Sequence, residues 1–374
     1  MVRCRIVVWA LTGLLATQGA AFSAPSSRVE AVLEAFFRTP APTGSEGLRA
    51  EAIQALCPEQ ARVRRNNLGS LYVSLADGPS RLAVCAGMDE PAYLVSGITP
   101  EGYLRLDRAG FHQPGTDRFL LGHTVVVWTR KGPLEGVVSV PSVHILSAQT
   151  RKMLQERAVL DLAFLDIGVR SAEEASRRGV RILDPVTLAT ECVRLARKRW
   201  AGGSLGSKAC AAALVDVSGR LASSGALGEN PVLAWVAQSR FPVRRLRPRA
   251  GLGAVRAARE IKAQSALVVD TFPASRRGEP GVSLGLGPVL VGSSEAPSPL
   301  KERIHTIASE SGVRLQEAVF EDSLLLNGFV ASEKEAVGLF LPVLYPGTPS
   351  EVVDAGDIEG LVALVAALLR EEGR

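Results

Sequence analysis

Histidine is scarce in this 374-residue chain: His112, His123, His144 and His305 are the full set. No imidazole therefore precedes residue 112 or follows residue 305, and chemistry at either end must do without one. Carboxylates are missing from two long internal stretches, between Glu191 and Asp216 and again between Glu229 and Glu260. Neither stretch can supply a carboxylate as acid, base or metal ligand. Cysteine is sparse too, at Cys4, Cys57, Cys85, Cys192 and Cys210, with no Cys-x-x-Cys spacing. That excludes a disulfide framework as the source of the fold. Past the first two dozen residues, no stretch is long and apolar enough to span a bilayer. The charge excess is small: 43 Lys and Arg against 38 Asp and Glu give +5. A nucleic-acid binder shows a denser basic face, so nucleic acid is not an expected partner.

What is present describes a globular chain. At 47% hydrophobic and 22% charged residues it can bury a core, and its length suits about two domains. Arg3 and Arg5 precede an apolar run over 6–16, and small residues at Ala21 and Ser23 offer a cleavage site. Residues 1–23 therefore read as a secretory signal, too short to span a membrane and removed in the mature protein. The expected location is the periplasm or the medium, with no membrane contact after cleavage. An uncleaved N-terminal anchor is the alternative.

Hydrophobic periodicity predicts helix over 29–57, broken by the Pro/Gly-rich stretch 39–44, then strands over 68–75 and 81–86 around a turn at 77–79. Short strands over 93–98, 103–107, 124–130 and 134–140 predict an all-β insert, placed at 91–160. After residue 166, predicted helices (172–178, 188–200, 299–312 and 358–371) are interspersed with apolar strands at 232–236, 266–269 and 337–341. This predicts an α/β domain formed by 24–90 and 161–374. Cys85 and Cys210 fall in apolar or small-residue runs and read as buried free thiols.

Several short motifs recur in a familiar order. They include Asn67-Leu68-Gly69, Met88-Asp89-Glu90, Gly102-Tyr103-Leu104-Arg105, Pro141-Ser142-Val143-His144 and Asp166-Ile167-Gly168. Gly285-Leu286-Gly287-Pro288 and a segment with Tyr345, Pro349, Glu351 and Asp354 complete the set. On these residues the chain resembles the glutamyl aminopeptidase family of dinuclear zinc peptidases, which includes the tetrahedral aminopeptidases and the so-called endoglucanase M. The resemblance implies an α/β/α catalytic-type domain interrupted by a small β-barrel that builds homodimers and, in some members, larger shells. It also implies two zinc or cobalt ions in the family's active members.

The positions that carry the family's chemistry are altered. Where the resemblance implies a histidine ligand, this chain has Gly87, and the aspartate that bridges both ions falls at Gly206. The glutamate pair falls at Ser239 and Arg240, and the last histidine ligand at Gly347. Asp270 alone remains of the ligands; the family's catalytic positions fall at Asp89 and Ser239. A catalytic zinc takes about three protein ligands, and its water needs a carboxylate to move the proton. Serine does not act as that base near neutral pH, and arginine accepts no proton. The expectations are therefore no catalytic residue, no bound cofactor, and open space at the three glycines.

Two arrangements of Arg240 are open: a pair with Asp270 inside the former metal position, or a solvent-facing Arg240 with Asp270 capping a loop. Arg240, Arg244, Arg245, Arg247 and Arg249 form a basic run without an acid, able to grip an anionic ligand or peptide carboxylate, or simply solvated. Two functional readings follow. One is an exported, non-catalytic homologue that binds peptide or a small anion, or assembles with itself. The other is an active metal-dependent aminopeptidase with a rebuilt site. Glycan hydrolysis needs a carboxylate pair across a cleft and is the weakest fit.

Overall fold

The computed structural model describes residues 28–371 apart from 76–79, 114, 141, 143, 145, 150, 153–158, 225–230, 244, 247–248, 293–297 and 320–321. The proposed signal at 1–23, the turn at 77–79, Arg244 and Arg247 thus lie outside the described residues. Among the described residues, no helix is long and apolar enough to cross a membrane.

A mixed sheet organises the α/β domain. Its order is β1 (Arg62–Arg65), β2 (Leu71–Ser74), β12 (Val232–Val236), β3 (Leu82–Gly87), β13 (Ser265–Val269), β17 (Glu335–Val343), β15 (Val289–Gly292) and β16 (Gln316–Val319). The short β14 (Thr271–Pro273) lies off that path and extends the sheet beside the end of β17. The central strands β12, β3, β13 and β17 run parallel to their neighbours in that group. Strands covered on both faces read as unbroken apolar runs, and Leu82, Ala83, Val84, Cys85 and Ala86 are all fully buried.

One face of the sheet is covered by α1 (Arg28–Arg38), α2 (Gly47–Leu56), α5 (Leu205–Ser224), α7 (Pro299–Glu310) and α9 (Ala355–Glu371). The other is covered by α6 (Leu252–Glu260) and α8 (Leu324–Val330). Small residues along α5, from Ala209 to Ala213, bring it close under the sheet, where the Trp235 indole donates to the Ala211 carbonyl at 2.9 Å. This is the expected α/β/α arrangement.

The insert is a closed six-strand barrel: β4 (Ala92–Ile98), β5 (Leu104–Ala109), β8 (Phe164–Asp166), β7 (Gly132–Ser139), β6 (Thr124–Thr129) and β9 (Pro185–Leu188). Two short helices, α3 (Val159–Leu162) and α4 (Ala172–Arg177), attend it. The barrel reaches Leu188 and not residue 160. Its last two strands follow a helix in sequence, so helix–strand alternation assigned them to the other domain; pairing to β7, β4 and β6 recruits them to the barrel.

A second correction concerns 188–200, expected as a helix. It forms a hairpin of β10 (Val193–Leu195) and β11 (Arg199–Gly202), turned through Arg197 and Lys198, both at φ 59°. Two successive left-handed residues end any right-handed helix. Strand β11 then pairs with β18 (Glu351–Asp354), which buries Trp200, so tertiary pairing overrides the local pattern.

Candidate functional site

Open α/β sheets place ligands beyond the carboxyl ends of their parallel strands. Here β3 ends at Gly87 and leads into Asp89 and Glu90, β12 leads into Ser239 and Arg240, and β13 leads into Asp270. Gly87, Asp89, Ser239, Arg240 and Asp270 converge on one cavity of about 100 Å³, with Ser207, Cys210 and Ser323. Gly347 lines a neighbouring cavity of about 180 Å³ between the sheet domain and the barrel. Arg240, Phe111, Gln113, Thr271 and Pro346 line both.

Asp89 is fully engaged. Its Oδ1 accepts from the Ser239 amide at 2.9 Å and from the Ser239 hydroxyl, and its Oδ2 accepts from the Arg240 amide and the Thr43 hydroxyl, each at 3.0 Å. Asp270 accepts from the Thr271 amide at 2.8 Å and from the Ser323 hydroxyl at 2.7 Å. Burial raises the Asp270 pKa, while the Ser323 hydroxyl and the Arg240 charge oppose that rise.

Arg240 does not pair with Asp270: among the described residues no ion pair joins them within 4.0 Å. The Arg240 Nη2 instead donates to the Ser207 hydroxyl at 2.8 Å, in a half-buried position. Asp270 instead takes its two hydrogen bonds from the Thr271 amide and the Ser323 hydroxyl. Of the remaining basic run, Arg245 is exposed, and Arg249 stacks over Phe111 at 5.2 Å from the ring centre.

The Cβ positions of the three glycines are crowded, although Gly87 and Gly347 each line a cavity. A Cβ on Gly87 would lie 2.6 Å from the Ser239 Oγ. On Gly206 it would lie 2.7 Å from methyl carbons of both Thr271 and Val343, and on Gly347, at φ 75°, 3.3 Å from Thr116. Neighbouring side chains stand close to each Cβ position, most tightly at Gly87 and Gly206.

Sequence reasoning assigned no role to five buried ionisable side chains, Glu351, Lys208, Glu90, Arg49 and Glu46. Glu351 accepts from the Gly206 amide at 2.9 Å and the Gly347 amide at 2.8 Å, so it ties these two glycines together. It serves a free donor at the start of α5, although burial raises its pKa. Lys208 is buried against Glu90 and the Gly203 carbonyl, and Arg49 reaches Glu90 from behind at 3.5 Å. Burial alone would raise the Glu90 pKa, but Lys208 and Arg49 hold it below the usual carboxylate range. Glu46 accepts from the Gly44 amide at 2.8 Å and the Gln238 amide at 2.9 Å. Burial and the nearby Asp89 charge push its pKa up to about 7. Lys208 had one sequence signal, as the lone cation leading an uncharged helical run.

His112 lines the larger cavity. Its Nε2 donates to the Ala92 carbonyl at 2.8 Å, and burial lowers its pKa. Cys85 and Cys210 are buried free thiols, as expected.

A model of the M42 glutamyl aminopeptidase family matches residues 69–364. The lysyl aminopeptidase of Pyrococcus furiosus is 26% identical over 354 residues, covering 91% of this chain and 96% of that one. Among solved structures, the Pyrococcus horikoshii TET1 peptidase is 27% identical with a TM-score of 0.79, covering 91% of this chain and 99% of that one. A TET aminopeptidase from a marine-sediment Thaumarchaeota archaeon, 23% identical with a TM-score of 0.80, covers 92% of this chain and 96% of its own, and shares the fold.

These matches correct the expectation that no cofactor belongs to this chain, since the matched family is one of metal-dependent aminopeptidases. The residues at the strand ends do not fit a dinuclear centre built as in that family. Asp89 and Asp270 are committed to protein donors, and a guanidinium stands beside them. No chemical step is therefore routed through a metal at this place.

Proposed function

The chain belongs to the M42 glutamyl aminopeptidase family, and from that premise we propose that it keeps the family's cleft to bind a ligand without hydrolysing it. The observation that carries this reading is the closed hydrogen-bond network around Asp89 at the strand ends. On this reading Ser239 and Arg240 stand where the family carries its glutamate pair; both donate amide hydrogens to Asp89. Neither side chain takes up a proton from water near neutral pH. Peptide hydrolysis needs such a base as well as an activated water.

The P. horikoshii TET1 peptidase can assemble into a tetrahedron or a large octahedral shell. Self-assembly of this chain through its barrel is part of the same proposal. So is export, which rests on the basic and apolar residues of 1–23; N-terminal sequencing of the mature protein should begin at Ala24, and a start at Met1 or Val2 would contradict it.

An active aminopeptidase is the second reading, favoured by the family match itself. Initial rates on leucyl, lysyl and glutamyl p-nitroanilides separate the two, with zinc or cobalt supplied because the family depends on metal. Binding without turnover supports the proposal. Saturable release of nitroaniline by the purified chain, abolished by chelator, would establish the second reading.

A further inference from the structure

We infer that the larger cavity receives a small carboxylic acid, its carboxylate held by Arg240 and its apolar body packed among aromatic side chains. This rests on reading the cleft as a binding site, and it reverses the polarity of a pocket that takes a peptide's free amine.

The charges around the cavity support this. Among the described residues, Glu90 and Glu351 are the carboxylates that line it. Glu90 is committed to Lys208, Arg49 and the Ala41 amide, and Glu351 to the Gly206 and Gly347 amides. An incoming ammonium would find both of these carboxylates engaged and two cations, Lys208 and Arg240, on the same lining. Lys208 is engaged by Glu90 and the Gly203 carbonyl. Arg240 differs: among the described residues it makes no ion pair within 4.0 Å, and one hydroxyl, that of Ser207, accepts from its guanidinium. A guanidinium offers five N–H donors in a planar fork matched to a carboxylate, so most of its donors are available.

The start of α5 is not the anion site, because the Glu351 carboxylate already accepts its Gly206 amide. Beyond Arg240, the lining includes Phe37, Phe111, Phe119, Trp128 and Leu188. A volume of about 180 Å³ is below the roughly 300–1,000 Å³ of pockets for drug-sized ligands, which suits a body of one or two residues. A free organic acid and the C-terminus of a peptide share this chemistry.

Isothermal titration of the full chain with three probes tests the inference: N-acetyl-L-phenylalanine, L-phenylalaninamide and acetyl-Gly-Gly-Phe. The acetylated acid should bind on the order of tenfold more tightly than the amide. Its affinity should fall by a similar factor in Arg240→Gln and partly recover in Arg240→Lys. Tighter binding of the tripeptide would assign the site to peptide C-termini, and tighter binding of the short acid to free acids. Equal or stronger binding of the amide, no detectable binding of either acid, or an Arg240→Gln affinity equal to wild type would each overturn the inference. If Arg240→Gln does not fold, the wild-type comparison of acid with amide decides alone. Cleavage of an aminoacyl substrate in parallel would instead overturn the non-hydrolytic reading, so the two failures are distinct.

Discussion

The Ser239 hydroxyl fills the place beside Gly87, standing 2.6 Å from where a Cβ on that glycine would lie. It also donates to Asp89, whose second oxygen takes the Arg240 amide. A side chain at 87 and a hydroxyl at 239 therefore exclude each other. Gly87→Ala alone should destabilise the protein, and Gly87→Ala with Ser239→Ala should recover part of that loss. The expected coupling is about 1–2 kcal/mol in a urea-unfolding double-mutant cycle. Additive effects would show that the two positions do not compete for one volume.

Gly206 is enclosed by different neighbours. A Cβ there meets Thr271 and Val343 methyls at 2.7 Å and the Glu351 Oε2 at 3.4 Å. Gly206→Ala should cost about 1–3 kcal/mol by overpacking, read as a lower urea midpoint. Gly206→Asp should cost more, because it sets a second carboxylate against Glu351. Neutral variants would mean that the pocket around α5 is looser than its contacts indicate.

Lys208 and Arg49 both hold the buried Glu90. Lys208→Met leaves that carboxylate with one cation at 3.5 Å, and a buried pair that loses a partner costs about 3–5 kcal/mol. Glu90→Gln added to Lys208→Met should recover some of that loss. A double variant no more stable than Lys208→Met would show that the buried charge is not the source of the cost.

Glu46 titrates at about 7, against an ordinary value of 4.5. A carboxyl whose folded pKa is raised binds more proton folded than unfolded between those values. Its contribution to stability is then fully present below about pH 4.5 and lost as pH rises to about 7. Glu46→Gln should flatten the fall in unfolding free energy across that window by up to about 3 kcal/mol. An unchanged slope would place the titration elsewhere.

The fold was legible where local pattern and tertiary role agree. The strands β3, β12 and β13 are apolar runs because both faces are covered, and each was visible in the sequence to within two residues. The hairpin of Val193–Leu195 and Arg199–Gly202 was not, because its pairing partner, Glu351–Asp354, lies more than 150 residues away. Gly87, Gly206, Ser239, Arg240 and Gly347 could be picked out from the order of the motifs. What surrounds them could not be: the Ser239–Asp89 contact spans 150 residues, and Glu351 reaches Gly206 across 145. Composition shows that no histidine precedes residue 112, while only packing shows what stands beside Gly87.

The most direct measurement is a single-turnover experiment. The protein, with zinc or cobalt supplied, is held in excess over an isotopically labelled peptide, and products are followed by mass spectrometry for hours. A cleft that binds without cutting predicts that the peptide is retained and recovered intact. Stoichiometric release of the N-terminal residue at a rate above the protein-free control would show that the family's hydrolytic chemistry survives in this chain.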